Sequence, residues 1–469
     1  MNEMQRPIAL VTGASGHVGA QLVPALLAEG FGVRVLARSP QKLNPDWRDR
    51  VDVVQGDATE RGDLDRALTG VRVAYYLLHS MDGQGDFVDR DRNLAEGFAA
   101  AAEAAGVERI VYLSGLHPEG ELSAHLGSRV EVGRILLESG VPTAVLQAGI
   151  VLGKGSASFQ MLRHLTERLP IAFGPRWLKN RIQPIADVDV VHYLVRAASL
   201  PREVNRSYDI GMDEVLTYVE MMKRYAAATG LMPRRMGIAP VLTPRLASRW
   251  VGLVTPVSAG VARPLVGSLI HDAVADEHDA RRDLGDPEGG LTGFDDAVRS
   301  SVTDQEAKRW SRTALALGAG VLAAALAGSL LTQPDSRWYR SLDKPAWQPP
   351  AVVFPIAWSA LYGGIWAAST ATITELVEND RAEDANRFRI ALAVNLALNA
   401  TWSGLFFRSR RPWLAAAEAA LLAASSADLT RRAAATRPHN AVVLGAYAAW
   451  TTFATALSTE IARRNPRRG

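Results

Sequence analysis

VTGASGHVGAQL, Val11 to Leu22, sets Gly13, Gly16 and Gly19 directly after an apolar run and at the opening of a periodic helical stretch. Glycines at this spacing let the backbone turn tightly and approach a pyrophosphate, which then rests on the positive end of the helix. The surrounding sequence gives the triplet its meaning. IALVTG (Ile8–Gly13), VRVLAR (Val33–Arg38), VDVVQGD (Val51–Asp57), VAYYLLHS (Val73–Ser80), RIVYLSG (Arg109–Gly115) and TAVLQAGIVLG (Thr143–Gly153) read as strands. Helical stretches such as RNLAEGFAAAAEAAG separate them. Nearly all-apolar strands alternating with helices predict an α/β Rossmann fold, a doubly wound parallel sheet covered on both faces.

The second strand ends at Arg38. An acid at that place suits the ribose 2′-hydroxyl of NAD, whereas an arginine suits a 2′-phosphate. The expected cofactor is therefore NADP rather than NAD. A solvated strand-end charge is the other reading of Arg38. Ser15, His17 and Val18 in the glycine loop and Ser39 after Arg38 are also expected to bind the cofactor.

These residues resemble the short-chain dehydrogenase/reductase superfamily in its extended, atypical, NmrA-like branch, over about residues 6–300. TGASGHVG fits the TGxxGxxG form. The resemblance implies that Asp57 in QGDAT meets the adenine amine, with Ala58 beside it. His79 and Ser80 fall at a C-terminal strand end, where cofactors bind. Ser114 occupies the family's post-strand serine. The family's Tyr-x-x-x-Lys pair is replaced by His125 and Arg129 in SAHLGSRVEVG. A histidine acts as a general acid near neutral pH; an arginine holds a ribose but does not readily exchange protons. His125, Arg129 and Ser114 are thus the expected catalytic set, and a non-catalytic redox sensor is the alternative. Met236–Ile270 reads as a lid over a hydrophobic pocket or as a helix on a membrane surface.

The composition narrows the rest. There are no cysteines among 469 residues, which removes thiolate metal sites, cysteine nucleophiles and iron–sulfur clusters, and no metal is expected. The start, MNEMQRPIALVTG, lacks a charged-then-apolar leader, so the first domain is expected in the cytoplasm. The net charge of +3 is unevenly spread: residues 301–469 carry 19 Lys and Arg against 12 Asp and Glu. Those basic residues flank apolar runs rather than forming one stripe, which argues for membrane flanks and against a nucleic-acid partner.

The apolar runs are Thr313–Leu331, Ala351–Ile373, Ile390–Phe407, Pro412–Leu429 and Ala441–Ile461. About 20 apolar residues cross a bilayer, so an all-α five-helix transmembrane bundle is expected, with the lipid bilayer as a partner. Charge bias is balanced between the two sides and does not set the orientation. The expected domains are 1–300, a linker at 301–312, and 313–465.

SLDKPAWQPPAVVFPIAWSALY, Ser341 to Tyr362, resembles the signature of the tryptophan-rich sensory protein, or translocator protein, family (TspO/MBR). Matches follow at Asn399-Ala-Thr-Trp402-Ser-Gly-Leu-Phe406-Phe407 and at Tyr447-Ala-Ala-Trp450. The resemblance implies five membrane helices, a porphyrin, haem-type or other hydrophobic ligand, and a homodimer. Trp347, Trp358, Tyr362, Asn395, Asn399, Trp402, Phe406, Tyr447 and Trp450 are the expected ligand contacts. The asparagines have a second reading, as ties between helices. The functional expectation is a membrane-anchored reductase on an apolar substrate, with a sensor or a transporter as the alternative. Pro345, Pro349 and Pro350 predict a stiff loop over one mouth of the bundle.

Overall fold

The computed structural model describes residues 6–78, 87–117, 122–239, 251–252 and 254–466. The chain divides into two compact units, Met1–Gln305 and Glu306–Gly469.

The first unit is built on a parallel seven-stranded sheet. Its strands are β1 (Ile8–Thr12), β2 (Gly32–Ala37), β3 (Asp52–Gln55), β4 (Val71–Tyr76), β5 (Arg109–Gly115), β6 (Thr143–Ala148) and the strand Arg206–Ile210. They lie in the order β3-β2-β1-β4-β5-β6 followed by Arg206–Ile210. The order reverses between β1 and β4, so both carboxyl ends open there onto one crevice. Thr12 spans it: its hydroxyl donates to the Tyr75 carbonyl at 2.8 Å and accepts from the Leu77 N–H at 3.2 Å.

Alternation along each strand serves both faces, which explains why the strands read as unbroken apolar runs. Ala9 and Val11 pack beneath helix α1 (His17–Ala28) and the helix Asp187–Ala197. Leu10 packs on the other face with residues of helices Arg61–Leu68, Phe87–Ala104 and Ala124–Leu137. A third core joins helices Ala157–Arg168, Tyr218–Ala228 and Phe294–Ser301 through Phe159, Tyr225 and Phe294.

Two strand expectations need correction. TAVLQAGIVLG is not one strand: β6 stops at Ala148, and Val151–Leu152 pairs instead with Ile185–Ala186. Gly149 makes the break, because a side chain there would run into the Gln183 carbonyl. The strand Arg206–Ile210, in register with β6, stands outside the six expected strands. It is short and interrupted by Arg206, Ser207 and Asp209, so it lacks an apolar run.

The second unit contains the long helices Arg309–Leu331, Val353–Glu378, Ala382–Ser403, Pro412–Ala434 and Pro438–Arg464. The third continues as a π turn over Gly404–Arg408. Three are long and apolar enough to cross a membrane, by length and composition: Arg309–Leu331, Ala382–Arg408 and Pro438–Arg464. Val353–Glu378 is diluted by Trp, Tyr, Ser and Thr, and Pro412–Ala434 by Glu418, Ser425, Ser426 and Asp428.

Candidate functional site

The dinucleotide crevice is shaped first by backbone. Gly13 follows β1 with φ of +74°, and a Cβ there would sit 2.5 Å from the Leu77 carbonyl oxygen across the switch point. Gly19 faces the Gly13 carbonyl so closely that no side chain fits between them. These two glycines draw the first turn of α1 onto the loop. The N-cap, Gly16, has no side chain to cap the helix, and the first turn holds no acid. Its leading N–H groups and positive dipole are left for an anion. Ser15 and Gly16 are exposed at this end. The loop thus fits a pyrophosphate by shape and by electrostatics.

His17 opens the helix but turns its ring into the protein. Its Nε2 lies 3.0 Å from Asp187 Oδ2, and Gln21 Nε2 donates to the same oxygen at 2.9 Å. Gly153 and Gly155 press against the ring and the carboxylate, where any Cβ would collide. The His17 imidazole therefore orients the loop, and its backbone N–H is what remains for a phosphate. Burial alone would raise the Asp187 carboxyl. Hydrogen bonds from His17 and Gln21 more than reverse this and hold it below the ordinary aspartate value. Asp187 and Gln21 were absent from the expected set. Only the i, i+4 spacing of His17 and Gln21 hinted at them.

Arg38 stands at the end of β2, exposed, with no hydrogen bond or ion pair among the described residues. Arg34, four residues earlier on the same strand, is consumed by Asp52 at 2.6 Å and by the Thr69 carbonyl at 2.7 Å. Ser39 leads into the short turn Pro40–Lys42. Asp57 takes the Thr59 N–H at 3.0 Å on Oδ1, while its own N–H donates to Asp63 at 2.7 Å. Ala58 packs at the edge of the sheet's second core. Val18 is partly buried against the first. His79 and Ser80 lie outside the described residues.

Ser114 and Arg129 both lie beside Tyr112 at the end of β5. Ser114 is buried on the strand, and the Arg129 stem passes over Gly115. The Arg129 carbonyl accepts from the Tyr112 hydroxyl at 3.3 Å. His125 sits in the first turn of helix Ala124–Leu137, whose N-cap is Ser123. Burial and the neighbouring Arg129 charge push its pKa down to about 4, so the ring is neutral at pH 7.

In the second unit, the expected polar contacts join one another. The Tyr362 hydroxyl donates to Asn399 Oδ1 at 2.6 Å, and Asn399 Nδ2 donates to the Tyr447 hydroxyl at 3.3 Å. Tyr447 donates in turn to Asn395 Oδ1 at 2.9 Å. Asn395 Nδ2 reaches the hydroxyls of Ser425 and Ser426, both at 3.1 Å. The chain ties the second, third, fourth and fifth helices together. Trp358 lies against it, 5.4 Å from the Tyr362 ring, 6.3 Å from Tyr447 and 6.4 Å from Trp450.

From Trp450 the aromatic contacts continue through Phe453, 5.4 Å away, to a further group at one end. Trp402 stacks on Phe406 at 5.2 Å, and Trp338 meets Phe406 edge-on at 5.6 Å. The proline loop lies here, with Trp347 against Phe453 at 5.9 Å. Asn465 clasps the loop to the end of the fifth helix: its Oδ1 accepts from the Asp343 N–H at 3.0 Å, and its Nδ2 donates to the Asp343 carbonyl at 2.9 Å.

Comparison with known proteins divides along the same line. A family of NAD(P)H-binding domains matches residues 13–139, and the TspO/MBR family matches residues 315–464. A ceramide reductase of Caulobacter vibrioides is 29% identical over 279 residues, covering 56% of this chain and 84% of that protein. Tryptophan-rich protein TspO of Chlorobaculum tepidum is 31% identical over 154 residues, covering 32% of this chain and 96% of that protein. Among solved structures, the Citrobacter sp. triphenylmethane reductase complexed with NADP(H) superposes with a TM-score of 0.50 at 17% identity, over 63% of this chain and 99% of that one. This last likeness speaks to the fold.

Proposed function

The chain belongs to the TspO/MBR family through its C-terminal unit and carries an NAD(P)H-binding, reductase-like unit ahead of it, and from this premise we propose that it is a membrane-anchored NADP-dependent reductase of an apolar, lipid-class substrate. The observation that carries the cofactor is Arg38, an exposed guanidinium without a partner among the described residues, at the strand end where a 2′-phosphate would be met. The loop from Gly13 to Gly19 would hold the pyrophosphate, with Ser39 beside the 2′-phosphate and Asp57 and Ala58 at the adenine. Ser114 and Arg129 would flank the nicotinamide ribose. When bound, the dinucleotide supplies a hydride. The substrate class draws support from the similarity to a ceramide reductase.

In the same reading, all five long helices cross the bilayer, with the N-terminal unit in the cytoplasm. The aromatic cluster of Trp358, Tyr447 and Trp450 faces a porphyrin or another hydrophobic ligand. An odd number of spans puts the C-terminus on the opposite face, which a C-terminal reporter accessible only from outside would check.

His125 favours a second reading. A carbonyl reduction needs a proton at the carbonyl oxygen. A ring held neutral at pH 7 beside Arg129 is a poor substitute for the family's tyrosine and lysine. On that reading the N-terminal unit binds NADP(H) and reports its state without turnover. The test uses the full chain in lipid nanodiscs. NADPH fluorescence must change on binding, and absence of binding sinks both readings. NADPH consumption on adding a ketone form of a ceramide, whose carbonyl takes the hydride and a proton to become the hydroxyl, supports the reductase; binding without consumption supports the sensor.

A further inference from the structure

Five large hydrophobic side chains stand exposed among the described residues of the N-terminal unit, and three of them share one place. Ile171 is 63% exposed, Phe173 67% and Met232 73%. Ile171 and Phe173 are alternate residues of the strand Ile171–Gly174, so both point to the same side. That strand pairs in parallel with Arg235–Ile238, Ile171 opposite Arg235 and Phe173 opposite Gly237. The Phe173 ring lies over Gly237, where a Cβ would come within 2.5 Å of it. Met232 lies three residues before Arg235, where the second strand begins. The ribbon therefore presents an apolar tip, not scattered surface residues.

The tip wears a basic collar. Arg176, Lys179 and Arg235 are exposed and have no ion-pair partner among the described residues. The sequence holds no Asp or Glu from 168 to 186 or from 221 to 271. On the proposed function, in which the helix from Arg309 enters a bilayer, a membrane also follows this unit closely in sequence. The first unit ends at Gln305, and a helix apolar enough to cross a membrane begins at Arg309. Four residue steps reach at most about 14 Å.

We propose that the Ile171–Phe173–Met232 tip inserts into the surface of an anionic bilayer, with Arg176, Lys179 and Arg235 on the headgroups. Apolar side chains ringed by Lys and Arg are the composition of an interfacial anchor, in which each basic residue near an anionic surface strengthens adsorption about fivefold. A dry protein groove would select against three unpaired cations. The inference requires the C-terminal helices to sit in the bilayer and is independent of catalysis. It gives the N-terminal unit a fixed face toward the lipid.

The chain has no cysteine, so a single Phe173→Cys carries an environment-sensitive fluorophore without background. Full-length labelled protein is reconstituted in nanodiscs of phosphatidylcholine with or without phosphatidylglycerol. The expected result is blue-shifted emission, quenched by nitroxide-labelled lipid, stronger with phosphatidylglycerol and weakened by salt. A label at Val188→Cys, exposed away from the tip, should report water in both and shows that the fold survives labelling. Combined Arg176→Glu, Lys179→Glu and Arg235→Glu should return quenching at position 173 to the phosphatidylcholine level. Water-like emission at 173 in anionic discs overturns the proposal. So does a blue shift that lipid nitroxide fails to quench, which would place the tip against protein. Quenching unchanged by the charge reversals overturns the anionic surface.

Discussion

His17 Nε2 sits 3.0 Å from Asp187 Oδ2, joining the glycine loop after β1 to the helix that begins at Asp187. The pair is mostly buried and shares its carboxylate with Gln21. Replacing Asp187 by Ala leaves His17 and Gln21 facing an empty acceptor, a loss of about 1–3 kcal/mol. The expected outcome is a lower melting temperature and an NADPH affinity weakened by roughly tenfold. The acid side carries a sign. The Asp187 carboxyl is depressed in the fold, so its stabilisation is present above the unfolded aspartate value and lost as pH falls through the folded one. The gap between wild type and Asp187→Asn should therefore close below about pH 4. A constant gap down to the acid limit would sink the assignment.

On the proposed reading, Arg38 sets the choice between dinucleotides. Arg38→Ser removes a charge-assisted contact worth about 1.5–3 kcal/mol. Titration by NADPH fluorescence should show affinity falling by roughly 10- to 100-fold, since 1.4 kcal/mol is tenfold. NADH affinity should stay nearly unchanged. Equal losses for both dinucleotides would show that Arg38 does not meet the 2′-phosphate.

His125 titrates low because burial and Arg129 oppose its charge. Between about pH 4 and the unfolded value near 6.5, the unfolded chain binds a proton that the folded one refuses. Stability therefore rises with pH across that window. His125→Gln should flatten this part of the curve of melting temperature against pH. Arg129→Gln should shift the histidine's titration upward, readable by NMR of the ring protons. A histidine that titrates near 6.5 in the wild type refutes the assignment and restores it as a proton donor.

Asn399 is occupied on both sides, accepting from Tyr362 and donating to Tyr447. Asn399→Ala should lower stability in detergent by on the order of 1–2 kcal/mol. If the amide chiefly ties helices, porphyrin quenching of tryptophan fluorescence should persist in the variant. A loss of porphyrin affinity without a stability change would move Asn399 into the ligand site.

Legibility followed the range of the interaction. Gly13, Gly16 and Gly19 and the strand ending before Arg38 are local, and β1, α1 and β2 follow them closely. The tryptophan and proline signature located the second unit for the same reason. His17 and Asp187 are far apart in sequence, and nothing near either residue announces the other. The Asn399 relay was half legible: two polar residues one turn apart on an apolar helix must find partners. Which partners depended on the register of four helices. The ribbon of Ile171–Gly174 with Arg235–Ile238 was illegible as a ribbon, since four residues are too few to establish a period.

The few residues between Gln305 and Arg309 also change what concentration means for this protein. On the proposed reading, in which the helix from Arg309 enters a bilayer, the first unit is tethered at its last residue within about 14 Å of that entry point and searches a surface, not a volume. For a substrate dissolved in the bilayer, saturation is set by its mole fraction among lipids. Adding inert lipid dilutes such a substrate at constant bulk concentration, and diluting the buffer does not.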